Sequence, residues 1–209
     1  MGIGPGESRS YRSPRRDRAA ADTRAAILAT ATRLFLERGY GRVTVADIAS
    51  AAGTAVPTVY ASIGGKSAIL AKLVHDAERD PIVEESLQAI RASQSPQEVV
   101  EITGHATRMD NERYHDLIQV EVSAAAIDET AASTLQSSDR LYVHTLGKTA
   151  RRLQELRALK DGLTVRRATD VLWFYFGHRS WHVFVERRWS WDDAERWLVT
   201  QASSALLNS

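Results

Sequence analysis

Residues 44–66 read TVADIASAAGTAVPTVYASIGGK, and this stretch constrains the fold more tightly than any other. Thr44 is a helix N-cap, with Asp47 three positions on to complete a box-like start. Val45, Ile48 and Ala49 form an inner face, and Gly53 stops the segment. A second short helix spans about residues 55–62, with Pro57 in its first turn, where a missing N–H costs nothing. Gly64-Gly65 ends it. Two short helices joined by about three residues containing a glycine form a helix-turn-helix. Ala49 and Ala52 are small where the helices must cross, and Ile48, Val59 and Ile63 back them. The second helix is left with Thr54, Ala55, Thr58 and Ser62 facing outward, and Tyr60 and Lys66 at its flank. Short side chains of this kind fit beside base edges in a major groove, and the two long ones reach phosphates.

The surrounding sequence is helical throughout. Ile27, Leu28, Ala31, Leu34 and Phe35 recur at helical spacing from Asp22 to a Gly39 cap, and Lys66–Arg79 carries Ile69, Leu70, Leu73 and Val74. Beyond Pro81 the periodicity predicts helices over 82–93, 96–109, 112–126, 129–158, 165–188 and 191–206, with breaks at Ser95-Pro96 and KDGLT. There is no strand pattern and no fixed repeat. The expectation is an all-α chain of about nine to ten helices: a basic tail without regular structure over 1–20, a three-helix helix-turn-helix domain over 21–66 and a helical body over 67–209.

Charge divides along the same lines. Residues 1–66 hold ten Lys/Arg against five Asp/Glu, and residues 67–209 hold seventeen against twenty-one. A basic front on a mildly acidic body fits a front that meets a polyanion. Arg9, Arg12, Arg15, Arg16 and Arg18 put five of those positive charges in the tail, where they either add DNA attraction or only solvate it. No apolar run is long enough for a membrane helix, no secretory leader is evident, and the chain has no cysteine, which fits a reducing, cytoplasmic setting.

All five tryptophans fall between Trp173 and Trp197. On one long helix over 165–188, Leu172, Phe176 and Val183 point one way, whereas Trp173, Phe174, Trp181 and Phe184 lie well round from them. An arc that wide needs cover on two sides, which either a second subunit or full burial of the helix within one chain provides. Trp181 and Phe184 are expected at a homodimer interface built from 165–188 and 191–206.

The signals of catalysis are missing. There is no glycine-rich phosphate loop after a strand, no nucleophile elbow and no metalloprotease helix. His178 and His182 are four apart, but no third ligand accompanies them, and packed imidazoles account for them better than a metal. The residues point to no enzyme, cofactor or metal.

Residues 23–74 resemble the DNA-binding domain of TetR-family transcriptional repressors, through AAILATATRLFLERGY, VTVADIASAAG and PTVYASIGGKSAIL. The resemblance implies that Thr44, Tyr60 and Lys66 hold DNA phosphates and that Thr54, Ala55, Pro57 and Thr58 lie where the recognition helix meets bases. Two positions depart from the family: Ala55 stands where a serine cap is common, and Ser62-Ile63 replaces an aromatic pair. The resemblance further implies a homodimeric repressor of a palindromic operator, released by a small, largely apolar effector. It sets the effector cavity among 96–109, 112–126 and the helix from 165, where Ile102, His105, Met109, Leu117, Glu121, Trp173 and Phe176 are the expected lining. A small-molecule binder whose helix-turn-helix has lost its role, and an activator without ligand-induced release, are the rival readings.

Overall fold

The computed structural model describes residues 14–208, which form ten α-helices and one 3-10 turn. The first is α1 (Pro14–Arg38), followed by the 3-10 turn Tyr40–Arg42, α2 (Val45–Ala51), α3 (Val56–Ser62) and α4 (Lys66–Ala77). Then come α5 (Pro81–Ala92), α6 (Pro96–Ala125), α7 (Glu129–Glu155), α8 (Val165–Phe176), α9 (His178–Glu186) and α10 (Trp191–Leu206). No strand occurs among the described residues. None of their helices is long and apolar enough to cross a membrane.

Three boundaries differ from the sequence expectation. Helix α1 begins at Pro14, so residues 14–20 are helical and not an unstructured tail. Proline suits a first helical position, Asp17 complements the helix N-terminus and Ala19–Ala21 have high helix propensity. The rest of the expected tail, with Arg9 and Arg12, lies outside the described residues. The segments 96–109 and 112–126 are one helix, α6. Its polar Asn111 does not interrupt it, because Nδ2 donates to Thr107 O at 2.8 Å and to Tyr142 Oη at 3.2 Å. Conversely, 165–188 divides into α8 and α9 at Gly177, whose backbone is extended (ψ 159°).

Two apolar cores result. The N-terminal core unites Ile27, Leu34 and Phe35 of α1 with Ile48, Val59, Ile69 and Leu70, and it also takes in Val120, Ala124 and Ala131 of the body. Helix α4 thus belongs to the N-terminal core while leading into the body. The second core gathers α5–α10 around Leu153, Leu172, Phe176 and Trp181. Helix α6 runs between them, with α5 and α7 on one side and α10 on the other. Its approach to α10 requires Gly104: a Cβ there would sit 2.3 Å from Val199 Cγ2.

Candidate functional site

The helix-turn-helix is held by local chemistry. Thr44 Oγ1 accepts from Asp47 N at 3.1 Å, and Asp47 Oδ2 accepts from Thr44 N at 2.9 Å, a reciprocal capping box. Hydrogen bonds from Thr44 hold the exposed Asp47 carboxyl below its ordinary range. Helix α2 ends with Gly53 at φ 65°. Gly53 N bonds Ser50 O at 3.2 Å, and Thr54 N bonds Ala49 O at 3.0 Å, the paired bonds of a Schellman turn that needs a left-handed residue. Helix α3 starts at Ala55 without a side-chain cap; Thr58 N and Val59 N instead bond Ala55 O at 2.9 and 3.2 Å.

Packing then fixes which face is free. Val59 is fully buried against Ile48 and Ala49, with Ile63 and Ala52 packed alongside. Thr44, Ala55, Pro57 and Thr58 are exposed, Tyr60 is 55 % exposed, and Thr54, Ser62 and Lys66 are half-buried. None of the eight residues singled out in the sequence is buried. Lys66 is tied inward: Nζ donates to Tyr40 O at 3.0 Å and lies 4.2 Å from the Tyr40 ring centroid. Its ammonium has two further protons to give.

Tyr40 is also the bridge to the body. Its hydroxyl donates to Asp128 Oδ2 at 2.7 Å, while Asp128 Oδ1 caps α7 by accepting from Thr130 N and Ala131 N at 2.9 and 3.1 Å. Burial, then the Asp128 bond, raise the Tyr40 pKa; that same bond is the largest influence holding the Asp128 carboxyl low.

A cavity of about 400 Å³ lies between α4, α5, α6 and α7, with His178 of α9 in its lining. Its α6 wall is one stripe: Thr103, Thr107, Asp110, Tyr114, Leu117 and Glu121. Apolar cover comes from Val74, Leu87, Ile90, Leu141 and Leu146. Tyr142 Oη donates to Phe176 O at 2.9 Å and accepts from Asn111. Burial lowers the His178 pKa to about 4, so the ring is neutral near pH 7; its Nδ1 is 3.1 Å from Asn111 Oδ1. Burial raises Asp110 to about 6 and Glu121 to about 7. The Asp80 side chain is only 6 % exposed, but Ile82 N, Tyr114 Oη and Arg113 hold its carboxyl low.

Of the seven residues expected to line a cavity, Leu117 and Glu121 do so. The others are placed elsewhere. His105 is exposed, 3.1 Å from Glu195 of α10, and Met109 accepts from Arg108, which also reaches Asp192. Ile102 packs into the second core and Phe176 is buried within it. Trp173 stands behind the wall, 5.5 Å from Tyr142 and 5.9 Å from His178 between ring centroids. His105 and Met109 follow the α10 side of α6, whereas the cavity opens on the other. Asp110, Tyr114 and Tyr142 were missed, although the spacing 103, 107, 110, 114, 117, 121 is a legible helical stripe.

The aromatic C-terminus also departs from expectation. Trp181 is 0 % exposed, and its Nε1 donates to Phe176 O at 3.1 Å; the bend at Gly177 turns it into the core of this chain, where it has no surface to offer an interface. Phe184 is half-buried, with ring centroids 4.8 Å from Trp189 and 5.4 Å from Trp197. Phe174, Val183, Trp189 and Trp197 are the exposed apolar groups here. His178 and His182 do not converge: His182 Nδ1 pairs with His115 Nε2 at 3.2 Å. No group of three potential metal ligands forms among the described residues.

An all-helical chain with an N-terminal helix-turn-helix, its second helix open on one side, has the arrangement by which such proteins place a recognition helix in a major groove. Comparison with known proteins makes this specific. Residues 27–73 match the model of bacterial regulatory proteins of the tetR family. The fold is shared with the SmeT–triclosan complex, at a TM-score of 0.73 and 21 % identity over 90 % of this chain and 93 % of that one. SmeT represses the multidrug efflux pump SmeDEF of Stenotrophomonas maltophilia. NalD, the secondary repressor of the MexAB-OprM multidrug efflux pump in Pseudomonas aeruginosa, gives 0.73 and 20 % over 92 % and 99 %. FadR from Bacillus subtilis in complex with stearoyl-CoA gives 0.71 and 18 % over 87 % and 98 %. No curated protein matches the chain. The family match covers the helix-turn-helix segment, and the solved structures share the fold of nearly the whole chain.

Proposed function

We propose that this regulator is a cytoplasmic repressor that binds a palindromic DNA operator as a homodimer and is released by a small, largely apolar effector. The observation that carries the reading is the conjunction of an open α3 with a cavity walled by the same helices, α4 and α6, that support the N-terminal core. In this reading α3 enters the major groove. Thr54, Ala55, Pro57, Thr58 and Ser62 face the bases, and Thr44, Tyr60 and Lys66 hold phosphates. Two copies associate through α8 and α10, where Phe174 and Trp197 leave apolar surface uncovered. Effector in the cavity favours a spacing of the two α3 helices that no longer fits successive major grooves. The solved likeness to SmeT bound to triclosan supports a small-molecule site in this body.

A gel shift with the DNA upstream of the protein's own gene tests the reading. Retardation is expected, with Lys66→Ala weakening all sequences and lowering the salt slope by about one unit. Thr58→Ala is expected to alter base preference at one position per half-site by about 1–3 kcal/mol. An unchanged affinity for Lys66→Ala removes the phosphate role.

A further inference from the structure

The cavity carries two carboxyl groups that no cation bonds among the described residues. Glu121 lines it while only 4 % exposed. Its Oε1 accepts from Ser138 Oγ at 3.0 Å, and among the described residues nothing donates to Oε2. The charges that act on it are those of Glu78 and Asp139, both negative. Asp110, eleven residues earlier on the same stripe, stands about 16 Å away along α6. Neither of its oxygens has a donor among the described residues, and burial together with the nearby Asp80 charge disfavours its ionised form, with the Arg113 charge a smaller opposing influence.

Arg79 and Lys148 also line the cavity, but among the described residues no cation bonds Glu121 or Asp110. Arg113 is exposed and pairs with Asp80, Arg79 is exposed at the rim, and Lys148 acts on Glu84. Nor can Tyr142 serve Asp110, since its proton goes to Phe176 O. A carboxylate taken from water without a countercharge is costly, and an anionic ligand beside it adds repulsion. A neutral apolar ligand leaves the cost in place. A protonated amine on an apolar body removes it, through a charge-assisted hydrogen bond to a buried acceptor.

We propose that the effector is an organic cation, its apolar body against Leu117 and Leu141 and its protonated nitrogen on Glu121, with Asp110 open to a second amine. This rests on the cavity being the effector site. The position matters because Glu121 lies on the turn of α6 that carries Val120 and Ala124 into the N-terminal core. Neutralising it therefore acts where the body meets the DNA-binding domain.

The test uses full-length protein and three probes of one chain length, below their micellar concentrations: N,N-dimethyldecylamine, decanol and decanoate, each titrated calorimetrically. The amine is expected to bind at least about tenfold more tightly than the alcohol, the effect of one well-formed buried ion pair, and decanoate more weakly than either. Glu121→Gln is expected to reduce the amine to the level of the alcohol and leave the alcohol unchanged. Equal binding of amine and alcohol, or an amine preference that survives in Glu121→Gln, overturns the cation while leaving the cavity as an effector site. Failure of all three probes to bind the unmodified protein overturns both.

Discussion

Replacing Glu121 by Gln should make the protein more stable in a way that depends on pH. Burial raises the Glu121 pKa from 4.5 to about 7. Between those values the folded state holds the proton more tightly than the unfolded chain, so stability declines as pH rises through that window. At 1.36 kcal/mol per unit the full cost of ionisation is about 3 kcal/mol, and about 2 kcal/mol of it accrues between about pH 5.5 and about pH 8. Asp110, raised to about 6, contributes in the same direction. His178, lowered to about 4, contributes oppositely, because its protonation disfavours the fold as pH falls. Both remain in the variant and cancel when it is compared with the unmodified chain. Gln keeps an acceptor for Ser138 and cannot ionise. Urea unfolding followed by tryptophan fluorescence, at one protein concentration, should show the variant gaining about 2 kcal/mol on the parent between about pH 5.5 and about pH 8. Parallel pH profiles would refute the reasoning, since they would mean that Glu121 is solvated.

Three further outcomes follow from packing. Gly104→Ala places a methyl group 2.3 Å from Val199 Cγ2 and should cost about 1–3 kcal/mol in chemical denaturation; unchanged stability contradicts the close approach of α6 and α10. Tyr40→Phe removes the hydroxyl that donates to Asp128 and should cost about 1 kcal/mol, or roughly 2–4 °C in Tm. That bond lowers the Asp128 pKa, so its contribution is present above the unfolded carboxylate range and lost as pH falls; a Tm difference that persists in acid argues against it. Phe174, 70 % exposed, should yield folded monomers on Phe174→Glu, read by sedimentation together with circular dichroism; a surviving dimer moves the interface elsewhere.

What could be read from the sequence was what short-range chemistry decides. The Thr44–Asp47 box, the Gly53 turn and Pro57 in the first turn of α3 act within a few residues, so the helix-turn-helix was legible almost to the residue. The body depended on choices that residues cannot make alone. Asp110 and Asn111 read as a break, yet Asn111 is buried because Thr107, Tyr142 and His178 satisfy it across three helices. Helix α6 has apolar and polar groups on two faces, and which one meets α10 is set by Gly104. Choosing the other face misplaced His105 and Met109 while keeping Leu117 and Glu121. The wheel drawn for 165–188 failed at Gly177, and with it the outward placing of Trp181.

The central claim, a dimeric reader of DNA, is tested most directly by selecting from a pool of random duplex sequence with the purified protein. Enrichment is expected of inverted repeats whose half-sites lie about one helical turn, or a multiple of one, apart, and it should fall steeply as salt is raised. A pool that stays random after repeated rounds with folded protein would contradict it.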